Sequence, residues 1–385
     1  MAKSRGELKV ESSVRDVLVA RAHRAVIKIG SRTLASDPAI YDRIAATLAR
    51  IRARGGGPHE FVIVSSGAIA LGLKTLGYKA RPKEMAKLQA AAAAGQSTLM
   101  RRYEEAFERV GGRVAQVLLT HADLSDRARA NNARAALEAL IDAGVVPIIN
   151  ENDTVAVDEI RFGDNDQLAA LVAPLVGADL LVLLSDVDGL LDESGARVPI
   201  VRDVEREAMP LVGKAPSSGA RESVGSGGMA SKLEAARRAC LAGAAVVIAD
   251  ARGTTTLDDV LDGRDVGTLV VPHEVRLGAR KHWILFTLRP RGTLVIDLGA
   301  ADALEARGGS LLAVGVLGVR GAFGAGDAVQ IVDPMGREVA RGLVALAAMD
   351  IARIAGKRGA ELEASIGRPI EAVVHRDDLV VLRRR

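Results

Sequence analysis

The chain has 385 residues, 49% hydrophobic but only 2% aromatic, with one cysteine and a formal net charge of +4 from 52 basic and 48 acidic residues. One cysteine excludes a disulfide framework or a cysteine zinc site, and Cys240 sits in a helical pattern as a small apolar residue. So small a net charge makes no case for a polyanion partner, and no apolar run approaches the ~18 residues of a membrane span.

The length suits two or three domains at ~150 residues each. Residues 1–23 carry charges throughout and lack the apolar core of ~7–15 residues expected of a signal peptide, so a cytoplasmic enzyme is the expectation. Within this N-terminal extension Val10, Val14, Val17 and Leu18 fall at helical spacing and predict a short amphipathic helix.

In chain order, Ala25–Ile29 reads as a buried strand ending in Lys28-Ile29-Gly30-Ser31. A helix over 41–54 closes at Gly55-Gly56-Gly57, and strand 61–64 ends in Ser65-Ser66-Gly67-Ala68. Residues 84–110 look helical with a break at Gly95. Then come strand 114–119, helix 126–143, strand 145–149, a helix from about Gln167 and strand 180–184. A Gly/Ser-rich loop spans 217–228, followed by helix 229–242, strand 246–249 and a short helix 257–261. Strands alternating with helices of ten or more residues predict a parallel sheet covered on both faces. The pattern changes near 272–290. Beyond it, short runs at 294–296, 311–314, 328–332, 341–344, 373–374 and 379–382 suggest a small β-barrel.

The stretch that concentrates chemistry is Asn150-Glu151-Asn152-Asp153-Thr154, then Phe162-Gly163-Asp164-Asn165-Asp166. It follows an apolar strand, and open α/β sheets bind ligands beyond the carboxyl ends of their strands. Each residue alone could be a turn former, and Asp166 could simply cap the following helix. Three glycine-bearing turns, Gly30-Ser31, Ser65-Ser66-Gly67-Ala68 and Ser226-Gly227-Gly228-Met229, expose backbone N–H groups suited to phosphate. Lys28 and Lys232 stand beside two of them. Lys232 could be a surface charge, but Lys28 interrupts an apolar strand, where lysine is rare unless paired.

Other phosphate motifs fail. There is no Gly-x-x-x-x-Gly-Lys-Ser/Thr. Gly225-x-Gly227-x-x-Ala230 lacks the preceding strand of a dinucleotide fingerprint, and Asp186-Val187-Asp188-Gly189 has its glycine too early for an EF-hand. The six histidines are scattered without metal-ligand spacing, and no Ser-His-Asp arrangement occurs. Phosphoryl transfer to a carboxylate would need no base, because a carboxylate of pKa ~4 is already ionised. Its repulsion from the γ-phosphate, ~4 kcal/mol at ~4 Å and an effective dielectric of ~20, would be offset by lysines, N–H groups and Mg²⁺. A carboxylate between two such lysines would keep them from splaying, and Asp164 is the candidate.

These motifs, in this order over roughly residues 24–375, resemble those of bacterial glutamate 5-kinases, members of the amino acid kinase family. The resemblance implies an α/β amino acid kinase fold over 24–275, an αβα sandwich with a mainly parallel sheet, and a PUA domain over 287–375. It implies that Lys28 and Lys232 hold ATP phosphates with Gly30, Ser226, Gly227, Gly228 and Met229, and that Ser185 and Asp186 contact the nucleotide. It further implies that Ser66, Gly67, Asp153 and Asn165 bind L-glutamate, that Asp164 organises the lysines, that proline is a feedback inhibitor, and that the protein is a homotetramer. The N-terminal tail is longer than is typical, and Leu191 stands where related kinases often carry tyrosine.

Acetylglutamate kinase, aspartokinase and UMP kinase share glycine turns and paired lysines, but the two Asp/Asn clusters favour glutamate with a free amino group. An RNA-binding role for the β-rich region is disfavoured. From Phe286 onward there are only two aromatics to stack bases, with fourteen basic residues against twelve acidic ones.

Overall fold

The computed structural model describes residues 14–155, 165–214, 228–273, 277–367 and 369–382. The chain divides into two compact units, one running to residue 276 and the other beginning at Leu277.

The first unit is built on an eight-stranded sheet in the order β3-β4-β2-β1-β5-β7-β8-β6. The strands are β1 (Arg24–Ile29), β2 (Glu60–Ser65), β3 (Val114–Leu119), β4 (Val146–Glu151), β5 (Leu180–Ser185), β6 (Ile200–Val201), β7 (Ala245–Asp250) and β8 (Thr268–Val270). Every pairing is parallel except that of β7 with β8. Strands β4 and β5 are buried along their whole length, as befits a parallel sheet with both faces covered. Alternation divides each strand between the faces. Ala25, Ile27 and Ile29 join the cluster that includes Ile44, Leu48 and Ile51 of helix Ile40–Arg54. Val26 and Lys28 point to the other face, where helix Asn165–Leu175 packs on β1 and β5. With aromatics scarce, Ala, Val, Ile and Leu fill the core.

Two expectations need correction. Gly95 does not break its helix, which runs without interruption from Met85 to Glu108. Instead it admits helix Ala68–Thr75: a Cβ on Gly95 would stand 1.8 Å from the Ala68 carbonyl oxygen, and one on Gly72 would stand 1.7 Å from that of Ala91. Glycine here buys closeness of two backbones. In the N-terminal tail, helix 14–21 forms, and Val14 and Leu18 pack against the core. Val17, however, is exposed, while Arg15 is buried. The Arg15 guanidinium donates to the carbonyls of Val266, Pro199 and Gly267 at 2.5, 2.9 and 3.3 Å, using its fork to satisfy loop backbone. Val10 lies outside the described residues.

The second unit holds a five-stranded sheet in the order β10-β9-β11-β12-β13: β9 (Gly292–Ile296), β10 (Val316–Gly321), β11 (Ala328–Val332), β12 (Glu338–Leu343) and β13 (Leu379–Val381). Its core gathers Leu294, Ile296, Val329, Ile331 and Ile351. The predicted strands at 311–314 and 373–374 are only a single bridge, Leu311 to Val374. Strand β10 was not anticipated, because its sequence Val-Leu-Gly-Val-Arg-Gly carries two glycines, which weaken the strand signal. Helix Ala279–Phe286 lies in this unit and packs on β12 and β13.

Candidate functional site

The carboxyl ends of β1, β2, β4 and β5 carry the polar groups. Lys28 is the penultimate residue of β1, Ser65 and Glu151 end β2 and β4, and Ser185 ends β5. Asn165 and Asp166 open the helix Asn165–Leu175, and Lys232 lies in the first turn of helix Met229–Ala242.

These elements bring Lys28 and Lys232 onto one carboxylate. Lys28 Nζ stands 2.6 Å from Asp166 Oδ1, and Lys232 Nζ donates to Asp166 Oδ2 at 3.1 Å. All three residues are buried, Asp166 to 1% exposure. Burial alone would push the Asp166 carboxyl up. The two ammonium groups outweigh it and hold the carboxyl below its ordinary range. Position in the first turn, at the positive end of the helix dipole, acts in the same direction. Two buried ammonium groups thus share one carboxylate.

The carboxylate found between the lysines is therefore Asp166, the residue whose alternative reading was a mere helix cap. Asp164, expected in that place, lies outside the described residues, as do Ser226 and Gly227. The phase of the helix Asn165–Leu175 is what brings Asp166 to the lysines.

A second constellation adjoins it. Asn165 Nδ2 lies 2.7 Å from the Ser65 carbonyl oxygen, 2.8 Å from Ser66 Oγ and 3.0 Å from Asn150 Oδ1. Asn150 Oδ1 also accepts the Glu151 N–H at 2.9 Å, and Asn150 Nδ2 donates to Gln96 Oε1 at 2.9 Å. Ser65 Oγ is 3.0 Å from the hydroxyl of Tyr103, whose complete burial raises its pKa. Gly67 adopts φ 98°, which a residue with a Cβ would resist, so glycine is required at this turn. Asp153 is half-buried in the turn that follows β4.

At the end of β5, Ser185 is buried, and Asp186 pairs with Arg32 at 2.7 Å. Burial would raise the Asp186 pKa, but the Arg32 hydrogen bond and others lower it overall. The Gly30 N–H donates to the Leu184 carbonyl at 3.3 Å, so it is committed to the sheet rather than exposed for phosphate. The helices that begin at Ser31, Ala68 and Met229, after Gly30, Gly67 and Gly228, all lack a side-chain N-cap. The helices that begin at Ile40, Met85 and Ala279 lack one too, whereas Thr120, Asp126 and Asp297 cap theirs.

Sequence reasoning missed Gln96 and Tyr103. The signal was present for Gln96: it falls on the helical stripe of Leu88, Ala92, Leu99 and Tyr103, all buried, where a polar side chain needs a partner. The histidines are less scattered than their spacing suggested. His23, His59 and Glu60 meet at the amino ends of β1 and β2. Arg24 already holds the Glu60 carboxylate at 2.7 Å, which opposes a cation there.

Residues 23–250 match the amino acid kinase family, and residues 292–366 match the PUA domain. The chain is 45% identical over 381 residues to a glutamate 5-kinase of Geobacter sulfurreducens, covering 96% of this chain and all of that one. It is 47% identical over 372 residues to a glutamate 5-kinase of Ralstonia nicotianae, covering 95% and 99%. It is 43% identical over 385 residues to a glutamate 5-kinase of Citrifermentans bemidjiense, covering 96% and 100%.

Proposed function

The chain belongs to the glutamate 5-kinases of the amino acid kinase family, and from that premise we propose how its own residues carry out the reaction. It phosphorylates the side-chain carboxylate of L-glutamate at the expense of ATP, giving L-glutamyl 5-phosphate at the start of proline biosynthesis.

Lys28 and Lys232 neutralise the transferring phosphoryl group. The observation that carries this is their shared partner, Asp166, with both ammonium groups buried at the carboxyl edge of the sheet. A salt-bridged pair aimed at one point costs no reorganisation when charge develops in the transition state. Phosphoryl transfer asks for little more than such positioning and electrostatics. The glutamate carboxylate is ionised at neutral pH, so no general base is needed. The uncapped helix starts after Gly30, Gly67 and Gly228 leave N–H groups for phosphate oxygens. Ser66, Gly67 and Asn165 bind glutamate, with Asp153 pairing its ammonium group. Ser185 and Asp186 border the nucleotide, and Ser226 and Gly227 belong to the same phosphate loop as Gly228.

Mg²⁺ would ride on the triphosphate rather than on a dedicated carboxylate cage. Both Asp166 oxygens already face lysines, and Asp186 faces Arg32. Bound there, the ion would neutralise phosphate charge. Proline, with a carboxylate and an amino group like those of glutamate, would compete around the glutamate site. A homotetramer, a cytoplasmic location, and domain limits at 24–275 and 287–375 complete the proposal. Among the described residues no helix is long and apolar enough to cross a membrane.

The test is ATP consumption with hydroxylamine trapping of the acyl phosphate, using L-glutamate, acetylglutamate, aspartate and UMP. L-glutamate alone should give the trapped product. Lys28→Ala and Lys232→Ala should each cut kcat by about 10²–10³, as loss of a transition-state charge partner does. A near-normal rate in a folded variant would remove that lysine from the mechanism. Light scattering with and without proline reads the assembly state.

A further inference from the structure

We infer that Gln96 is a positioning residue for glutamate: through Asn150 it fixes which face of the Asn165 amide meets the substrate. The inference rests on the glutamate site proposed above and adds to it a polarity and a residue outside it.

The orientation of each amide is forced by backbone groups that can act in only one way. The Ser65 carbonyl only accepts, so Asn165 must turn its Nδ2 toward it, at 2.7 Å. The Glu151 N–H only donates, so Asn150 must turn its Oδ1 toward it, at 2.9 Å. That same Oδ1 then receives Asn165 Nδ2 at 3.0 Å. Asn150 Nδ2 is left facing Gln96, which must present Oε1, at 2.9 Å. One direction of donation therefore runs from Asn165 through Asn150 to Gln96, with no freedom to invert.

Two consequences follow at the substrate. Asn165 keeps its Oδ1 as an acceptor, which suits an ammonium group. The two hydrogens of Asn165 Nδ2 serve the Ser65 carbonyl and Asn150 Oδ1, so Ser66 Oγ, 2.8 Å away, at most shares one of them; because the amide nitrogen cannot accept, Ser66 keeps its own proton to donate, which suits a carboxylate. A zwitterionic amino acid fits this order.

Gln96 bears an independent mark of the arrangement. Its Nε2 is buried without a hydrogen-bond acceptor among the described residues. A buried unpaired donor is costly, so the side chain is oriented for Asn150 and not for its own surroundings. The residue before it is Gly95, whose missing Cβ lets this helix seat against helix Ala68–Thr75.

The experiment compares glutamate and ATP kinetics in Gln96→Met, Gln96→Glu, Asn150→Ala, the double variant Gln96→Met/Asn150→Ala, and Asn165→Ala. Gln96→Met should raise the glutamate KM about five- to tenfold, the scale of one lost hydrogen bond, with the ATP KM nearly unchanged. Gln96→Glu keeps an acceptor oxygen and should hold the glutamate KM within a few-fold of the parent. The double variant should be no worse than Asn150→Ala, because both act along one route. Equal rises in both KM values, additive effects, or failure of Gln96→Glu to retain the glutamate KM would overturn the inference. If Gln96→Met does not fold, the Gln96→Glu result decides alone. Asn165→Ala separates the two levels: an unchanged glutamate KM there defeats the site itself. A raised one, with Gln96→Met indistinguishable from the parent, defeats only the role of Gln96.

Discussion

Lys28 lies 2.6 Å from Asp166, an ion pair in which the carboxylate is almost wholly enclosed. The same carboxylate holds Lys232. Three ionised groups out of water are costly unless each finds its partner. Asp166 is thus the member whose loss takes away the carboxylate that the two buried ammonium groups share.

Asp166→Ala should destabilise the first unit by about 3–5 kcal/mol, the range for breaking a buried pair from one side. Asp166→Asn should fold better and still lower kcat, because the neutral amide cannot hold two ammonium groups together. Calorimetry and the trapped-product assay measure both. Asp164→Asn should fall less in kcat than Asp166→Asn; the opposite order would give Asp164 the organising role expected of it from the sequence.

Acid should weaken the fold through this site. The Asp166 pKa is depressed in the folded state, so its contribution is present above the ordinary unfolded value of about 4 and is lost as pH falls through the folded value. Melting temperatures of the parent and Asp166→Asn between pH 7 and pH 3 should converge as the pH drops below about 4. Parallel curves throughout would show that Asp166 does not titrate with unfolding.

Asp153→Ala should raise the glutamate KM more than the ATP KM, since its proposed partner is the substrate ammonium group. One charge-assisted hydrogen bond, about 1.5–3 kcal/mol, corresponds to roughly a ten- to hundredfold effect. Initial-rate kinetics with each substrate varied in turn decides it. A larger effect on ATP would move Asp153 to the nucleotide side.

Gly95→Ala and Gly72→Ala should each destabilise by several kcal/mol, at or above the usual 1–3 kcal/mol of overpacking. The added Cβ would land 1.8 or 1.7 Å from a backbone carbonyl oxygen, not from a movable side chain. Urea denaturation checks this. Gly228→Ala, where a Cβ meets nothing within 4 Å among the described residues, is the control and should lose far less stability, no more than the modest N-cap preference for glycine over alanine.

A chain ending at residue 276 should fold and retain measurable kinase activity, because every proposed site residue and its supporting core belong to the first unit. Complete loss of turnover in a soluble, cooperatively melting fragment would show that the second unit is needed for catalysis.

The sheet and the address of the site are legible in the order of residues alone. Strands of five or six apolar residues, spaced by helices with their own period, admit little beyond a doubly covered parallel sheet. The polar residues that break those runs at Lys28, Ser65, Asn150 and Ser185 mark the carboxyl edge. Local pattern also located both lysines.

Pairing, by contrast, emerges only when the elements have packed. That Asp166 meets both lysines depends on helix phase against β1, and composition does not encode phase at that resolution. Gly95 reads locally as a break and acts globally as a contact, because the carbonyl it admits comes from another helix. The stripe of its helix marks Gln96 as buried but not what it meets, and Arg15 looks like a surface residue until its acceptors are in place. Those partners, the Asn150 amide that donates to Gln96 in one case and the carbonyls of Pro199, Val266 and Gly267 that accept from Arg15 in the other, are distant in the chain and adjacent only once the strands have ordered.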